Sequence, residues 1–254
     1  MVFNNDAVWS ARGDVIHYHG TPIWGDSGEV LKVAIKSGGA FVSYARPDQI
    51  KQCLEHAAKV AIDNGAFSAW KRGLYIDWTD FYKWLMKFYF YEKVSFIVIP
   101  DVIDGSEWDN DELVARVPSM FKGKSAPVWH LHESIDRLIR LCDSHEKICF
   151  GSSGEYAVTR TKLWHARMIE AFSEIYIKRG FRTKVHGLRM LDGRILGEYP
   201  LHTADSTNLA CNVPKWKVKY PDLGSNLQHR AAILRNAVES VTPPTIEEWI
   251  CSRS

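Results

Sequence analysis

Val60-Ala61-Ile62-Asp63-Asn64-Gly65 starts as a buried strand and ends as a turn. Three apolar residues run into an aspartate, and Asn-Gly then permits a sharp change of direction. The same pattern recurs along the chain. Val94–Asp101 closes on Pro100-Asp101, and Leu201–Asp205 closes on Ala204-Asp205. Val15–His19, Phe41–Tyr44, Pro127–His132, Ile148–Ser153 and Val185–Arg189 complete a set of eight such runs, with Val60–Asp63 among them. Helix-like or mixed segments separate most of them. Strand alternating with helix predicts a parallel sheet, and eight units in 254 residues match a (β/α)8 TIM-type barrel in an α/β chain. In that fold the active site lies at the C-terminal ends of the strands. Asp63, Asp101, His132, Gly151, His186 and Asp205 all fall there.

The segments between the runs read as helices at Pro47–Ala58, Asp77–Glu92, Asp109–Met120, Ser134–Ser144, Thr161–Arg179 and Asn226–Val241. Ile50, Cys53, Leu54 and Ala57 share one face of the first, and Pro47 suits a first helical turn. Gly180 follows the fifth as a C-cap glycine should. No linker, repeat or shift in composition divides the chain, so residues 1–254 are expected to form one barrel domain.

Hydrophobic residues make up 46% of the chain, enough for a sizeable core. A formal net charge of +2 does not announce nucleic acid. Local patches are a better guide: Lys215-Trp216-Lys217-Val218-Lys219 alternates cations with apolar groups, though a solvated face is the ordinary reading of any single patch. Trp70, Trp78, Trp108, Trp164 and Trp216 fall in loops or at helix edges; most read as packing residues, and one or two could stack on a flat ligand. Five Cys show no paired spacing, which suits a reducing, cytoplasmic setting; Cys53, Cys142 and Cys149 read as core residues. Met1–Asp6 has no signal-peptide pattern. The apolar stretch Phe81–Tyr91 is too short and too charged to span a membrane, so no membrane partner is expected.

Asp63, Asp101 and Asp205 each end a strand, and the barrel topology converges them on one face. Like charges brought together need a functional reason. Two carboxylates beside one centre suit displacement at an anomeric carbon, one attacking and the other protonating the leaving group. A third can accept hydrogen bonds from a base edge that carries N–H groups.

In order and surroundings these residues resemble the tRNA-guanine (queuine) transglycosylase family, including relatives that insert 7-deazaguanines into DNA. Asp63-Asn64-Gly65-Ala66-Phe67 resembles the family's Asp-Ser-Gly-Gly-aromatic motif. The resemblance makes Asp63 the general acid/base and Phe67 the residue that stacks on the base. It makes Asp101 the reader of the guanine edge, and it places His132, in His130-Leu131-His132-Glu133-Ser134, where the family holds a base-binding Gln. Phe150-Gly151-Ser152-Ser153-Gly154-Glu155 resembles the loop whose backbone contacts the base, through Gly151 and Ser152. His186-Gly187 stands where a residue covers the other face of the ring, and Ala204-Asp205-Ser206 matches the nucleophile segment. The likeness runs in order from about Ile62 to Asn208.

The chain also departs from the family. Only Cys211 closely follows the nucleophile segment, so no structural zinc of the Cys-x-Cys-x-x-Cys type is expected. The chain is short for a tRNA-acting member. Both departures favour a compact relative, of the kind a phage would carry, that acts on DNA. The implied reaction replaces guanine with a free 7-deazaguanine base in a polynucleotide, DNA being favoured over tRNA as the substrate, without metal or other cofactor. Lys215, Lys217 and Lys219 would grip phosphates.

Two other readings stay open on sequence. His17-x-His19 on the first strand, with Asp205 on the last, resembles the metal site of an amidohydrolase-like hydrolase, and His130-x-His132 adds a second pair. A barrel that binds nucleotide or nucleic acid without chemistry is the third reading.

Overall fold

In a computed structural model of the chain, the structure describes residues 16–215 and 221–253. Nine parallel strands form one sheet. They are β1 His17–Gly20, β2 Gly39–Ser43, β3 Lys59–Asp63, β4 Val94–Val98, β5 Ser125–Ala126, β6 Val128–His130, β7 Lys147–Gly151, β8 Lys184–Gly187 and β9 Thr203–Ser206. Their order is β5-β4-β3-β2-β1-β9-β8-β7-β6. The ends of that list are one stretch of chain interrupted at Pro127, which has no N–H to give a ladder. β5 pairs with β4, and β6 pairs with β7. Cys149 N donates to Pro127 O across the junction at 2.8 Å. The eight expected runs therefore fall in the wall of a TIM-type barrel; the fifth wall position begins two residues before the expected run, at Ser125, and is interrupted at Pro127.

Side chains alternate across each strand. Tyr18, Phe41, Ala61, Phe96, Val98, Ala126, Val128 and Cys149 pack together as the buried barrel interior. Residues one step along the strands, such as Val60, Ile62, Ile97, Ile148 and Val185, face the surrounding helices in two larger cores. Cys53, Cys142 and Cys149 are buried, as their sequence context predicts.

The helices are shorter than their periodicity suggests. Asp77 caps Trp78–Leu85 by accepting from Thr79 N at 2.7 Å, but that helix stops well before Glu92. A capping box of Ser106 and Asp109 starts the next at Glu107, and it ends at Ala115, ahead of Pro118. Ser134, Thr161 and Asn226 cap Ile135–Ser144, Lys162–Phe172 and Leu227–Glu239. Lys162–Phe172 runs on into a π-helical turn, Ser173–Lys178, and Gly180 closes that segment with φ +65°. Glu29–Ile35, Ala66–Lys71 and Ile246–Cys251 are helices that the sequence pattern did not single out. Among the described residues no helix is long and apolar enough to cross a membrane.

Candidate functional site

A cavity of about 450 Å3 opens at the C-terminal ends of the strands. Asp63, Asp101 and Asp205 all line it, together with Phe67, His130, Gly151 and Ser152. Arg46, Lys71 and Arg189 also line it, and all three are exposed. The site thus joins an acidic floor to a basic rim.

Asp63 ends β3, and the turn after it explains its setting. Gly65 adopts φ +83°, and a Cβ there would lie 2.8 Å from Ala45 N. Only glycine permits both the left-handed turn and that approach. The turn brings Gly65 N–H to 3.1 Å from Asp63 Oδ2. Burial nevertheless pushes the Asp63 carboxyl up to about 7; the nearby Asp205 and Asp101 charges add to the rise, against hydrogen bonds from Ser43 and Gly65. Asp63 can therefore hold or release a proton near neutral pH.

Asp101 is clamped from two sides. Asn64 Nδ2 donates to its Oδ1 at 2.6 Å, and His130 Nε2 lies 2.9 Å from its Oδ2. Asn64 is fixed in turn by donating to Ile99 O and accepting from Ala66 N. A buried network supports the far side. Glu133 accepts from His130 N at 2.8 Å, from Asn110 Nδ2 at 2.9 Å and from Arg137 Nη1 at 2.5 Å. Asn110 also accepts from Val102 N, next to Asp101.

Asp205 ends β9 and is buried. It accepts from Arg189 N at 2.8 Å, and His186 Nε2 lies 3.3 Å from the same Oδ1. Arg189 holds φ +59°, a conformation uncommon for a residue with a side chain. Its guanidinium lies over the Phe67 ring, 4.3 Å from the centroid.

Gly151 and Ser152 stand at the cavity as expected. A Cβ on Gly151 would come within 3.1 Å of His130 Nδ1, and Ser152 Oγ is held by Trp164 Nε1 at 3.0 Å. Three placements differ from the transglycosylase reading. His132 is exposed and bonds Ser153 Oγ at 2.7 Å outside the cavity; the strand stops at His130, and the turn after it breaks the two-residue alternation. His130 takes the inward position instead. His186 lies fully buried beneath the cavity, stacked on Phe41 at 5.3 Å, with Nδ1 and Thr203 Oγ1 2.7 Å apart. It cannot cover a base there. Gly187 is turned toward Met190 and Leu201 rather than the cavity.

His17 and His19 face the helix layer, not the mouth. His17 Nε2 lies 2.8 Å from Val241 O, and His19 Nε2 lies 2.9 Å from Glu239 Oε1. Lys215 is exposed on a short 3-10 turn, while Trp216, Lys217 and Lys219 lie outside the described residues. Trp70 and Trp108 are exposed, and Trp70 is 5.8 Å from Phe67; Trp164 is fully buried packing. Sequence reasoning assigned no role to Asn64 or Arg189 and named His130 only in the metal reading. Asn64 was within the quoted motif, and His130 was one alternation away. Arg189 gave no signal, since its place depends on a left-handed turn that its residue type does not announce.

Fold and site together define a TIM-type barrel with three carboxylates converging on a cavity at the strand ends. No family model matches the chain, and no curated protein matches it. Among solved structures it is similar to a thiamine phosphate pyrophosphorylase from Bacteroides thetaiotaomicron, at 9% identity and a TM-score of 0.44, over 89% of this chain and 98% of that one.

Proposed function

We propose that the chain is a base-exchange transglycosylase that replaces guanine with a 7-deazaguanine in a polynucleotide, DNA in preference to tRNA. The observation that carries this reading is the shared cavity of Asp63, Asp101 and Asp205. Among the described residues, none of the three pairs with a Lys or Arg side chain.

Asp205 attacks C1′ of the target nucleoside. The C1′–N9 bond breaks, its electron pair leaves with the base, and Asp63 supplies the proton. The incoming base then gives its N9 proton to Asp63 and attacks C1′. The sugar–oxygen bond breaks, and Asp205 is restored as a carboxylate. Two displacements retain configuration. Asp101 accepts from the N–H edge of the base, and Phe67 stacks on the ring. The rim cations suit a polyanion, whereas the acidic floor suits only the neutral base.

The amidohydrolase-like reading loses its first-strand ligands, because His17 and His19 are turned away from Asp205. The test is incubation with labelled guanine and either DNA or tRNA. Label entering DNA supports the proposal. Label entering neither polymer, with folded protein, removes it.

A further inference from the structure

Arg189 occupies an unusual position. Its backbone N–H holds Asp205, and its side chain covers the ring of Phe67. A base stacked on that face of Phe67 needs the space the guanidinium fills. The guanidinium must then leave, and no carboxylate lies within ion-pair distance of it among the described residues. A displaced arginine at the rim of a cavity calls for an anion supplied by the ligand.

We propose that Arg189 is the phosphate anchor of the target nucleotide: it rests on Phe67 in the free protein and pairs with the adjacent phosphodiester when a base enters. This rests on the transglycosylase reading, because the sugar must sit at Asp205. The chain geometry favours it. One residue contacts the carboxylate through its main chain and reaches the rim through its side chain. The sugar that Asp205 attacks and the phosphate next to it are likewise neighbours. Guanidinium geometry matches two phosphate oxygens at once. Lys71 and Arg46, on the same rim, extend the track along the strand.

The anchor has a sign-opposed signature. In the free state Arg189 competes with the base for Phe67, and in the complex it holds the phosphate. Removing it should weaken a polynucleotide and spare, or even tighten, a free base.

The test compares wild type with Arg189→Asn, which tolerates the left-handed backbone and keeps the N–H to Asp205. Arg189→Lys is the second variant. The probes are a fluorescent guanine-containing single-stranded oligodeoxynucleotide across a salt series, a free 7-deazaguanine base, and guanosine against its 5′-monophosphate. Arg189→Asn is expected to weaken the oligonucleotide by roughly tenfold or more, the scale of one charge-assisted hydrogen bond. The salt slope should flatten by about 0.7, one contact on a single strand. Binding of the free base should hold or improve, and Arg189→Lys should recover part of the slope. Equal loss on oligonucleotide and free base would show a prop for Asp205 and overturn the proposal. So would an unchanged slope, or a loss confined to the monophosphate. Active exchange with an unchanged slope overturns this inference alone. Wild type that neither binds the oligonucleotide nor exchanges its base overturns the function beneath it as well.

Discussion

The two faces of the barrel wall treat charge in opposite ways. β1 and β9 run side by side with Tyr18 level with Asp205. On the outer face, His19 and Arg235 both approach Glu239 Oε1, at 2.9 and 2.8 Å. Burial alone would raise the Glu239 carboxyl, but the hydrogen bonds from His19 and Arg235 outweigh it and hold the group at about 2. On the inner face, three carboxylates share a cavity without a Lys or Arg partner among the described residues, and Asp63 rises to about 7. Matched charge on the outside secures the helix Leu227–Glu239 to the sheet through His19 and Glu239. On the inside, burial without a Lys or Arg side chain to offset it raises the energy of the free site, a cost expected where a ligand or a reaction uses it.

Removing the inner carboxylates should therefore destroy activity more than stability. Asp205→Asn keeps the shape but cannot attack C1′, and exchange should fall by on the order of 10^6, the scale seen when a nucleophile is deleted. Thermal unfolding should stay cooperative. An exchange rate equal to wild type in a folded variant would remove Asp205 from the mechanism.

Asp63→Asn should cost about 10^2 to 10^4 in rate, the range of general acid–base catalysis. The pH behaviour sharpens the contrast. Asp63 is protonated in the native state up to about 7 and ionised in the unfolded state above its ordinary value near 3.8. The native state thus binds the extra proton across that window, so this residue's contribution to stability falls as pH rises from 3.8 to 7. Asp63→Asn should accordingly be stabilising at pH 8 relative to pH 4, by about 1 kcal/mol or more. Equal melting differences at both values would show that the carboxyl is not raised.

The strand ends were readable because apolar runs ending in polar residues mark both the wall and its mouth. Asp63, Asp101, Asp205, Phe67, Gly151 and Ser152 all reached the cavity. What the sequence hides is direction. Both faces of a parallel strand are buried, so alternation has no polar side to mark the outside. His17 and His19 could then be read inward as readily as outward. His186 was placed at the right strand end but one layer too deep, and His132 lay beyond the end of its strand. Arg189 depends on a backbone conformation and Asn64 on a hydrogen bond across two strands, and neither leaves a periodic trace.

The outer face should answer in the opposite way. His19→Ala removes a buried partner of Glu239 and should cost about 1 to 3 kcal/mol in chemical denaturation, with base exchange unaffected. Glu239 lies below its ordinary value of 4.5, so its contribution is fully present above 4.5 and is lost as pH falls toward about 2. Loss of exchange in His19→Ala, restored by added zinc, would instead return the first-strand histidines to the chemistry.

The smallest effect is expected at Lys215, Lys217 and Lys219. They follow Asp205 by about ten residues; Lys217 and Lys219 lie outside the described residues. Lys215 is exposed, and exposed lysines add to phosphate binding mainly by releasing counterions. Each contact on duplex DNA contributes about 0.9 to the salt slope. Changing all three to Ala should weaken duplex binding and flatten the slope by at most about three contacts' worth, without altering the melting temperature. Exchange on a nucleoside, which has no phosphate to grip, should not change. In the proposed complex Arg189 reaches the phosphate beside the reacting sugar, whereas the lysines would touch phosphates further along. The rim arginine should therefore affect even a short oligonucleotide, and the lysines only a longer one. Identical salt slopes for wild type and the triple variant on a long duplex would mean that these lysines only solvate their loop. The path of the polymer would then be set by Arg46, Lys71 and Arg189 at the cavity itself.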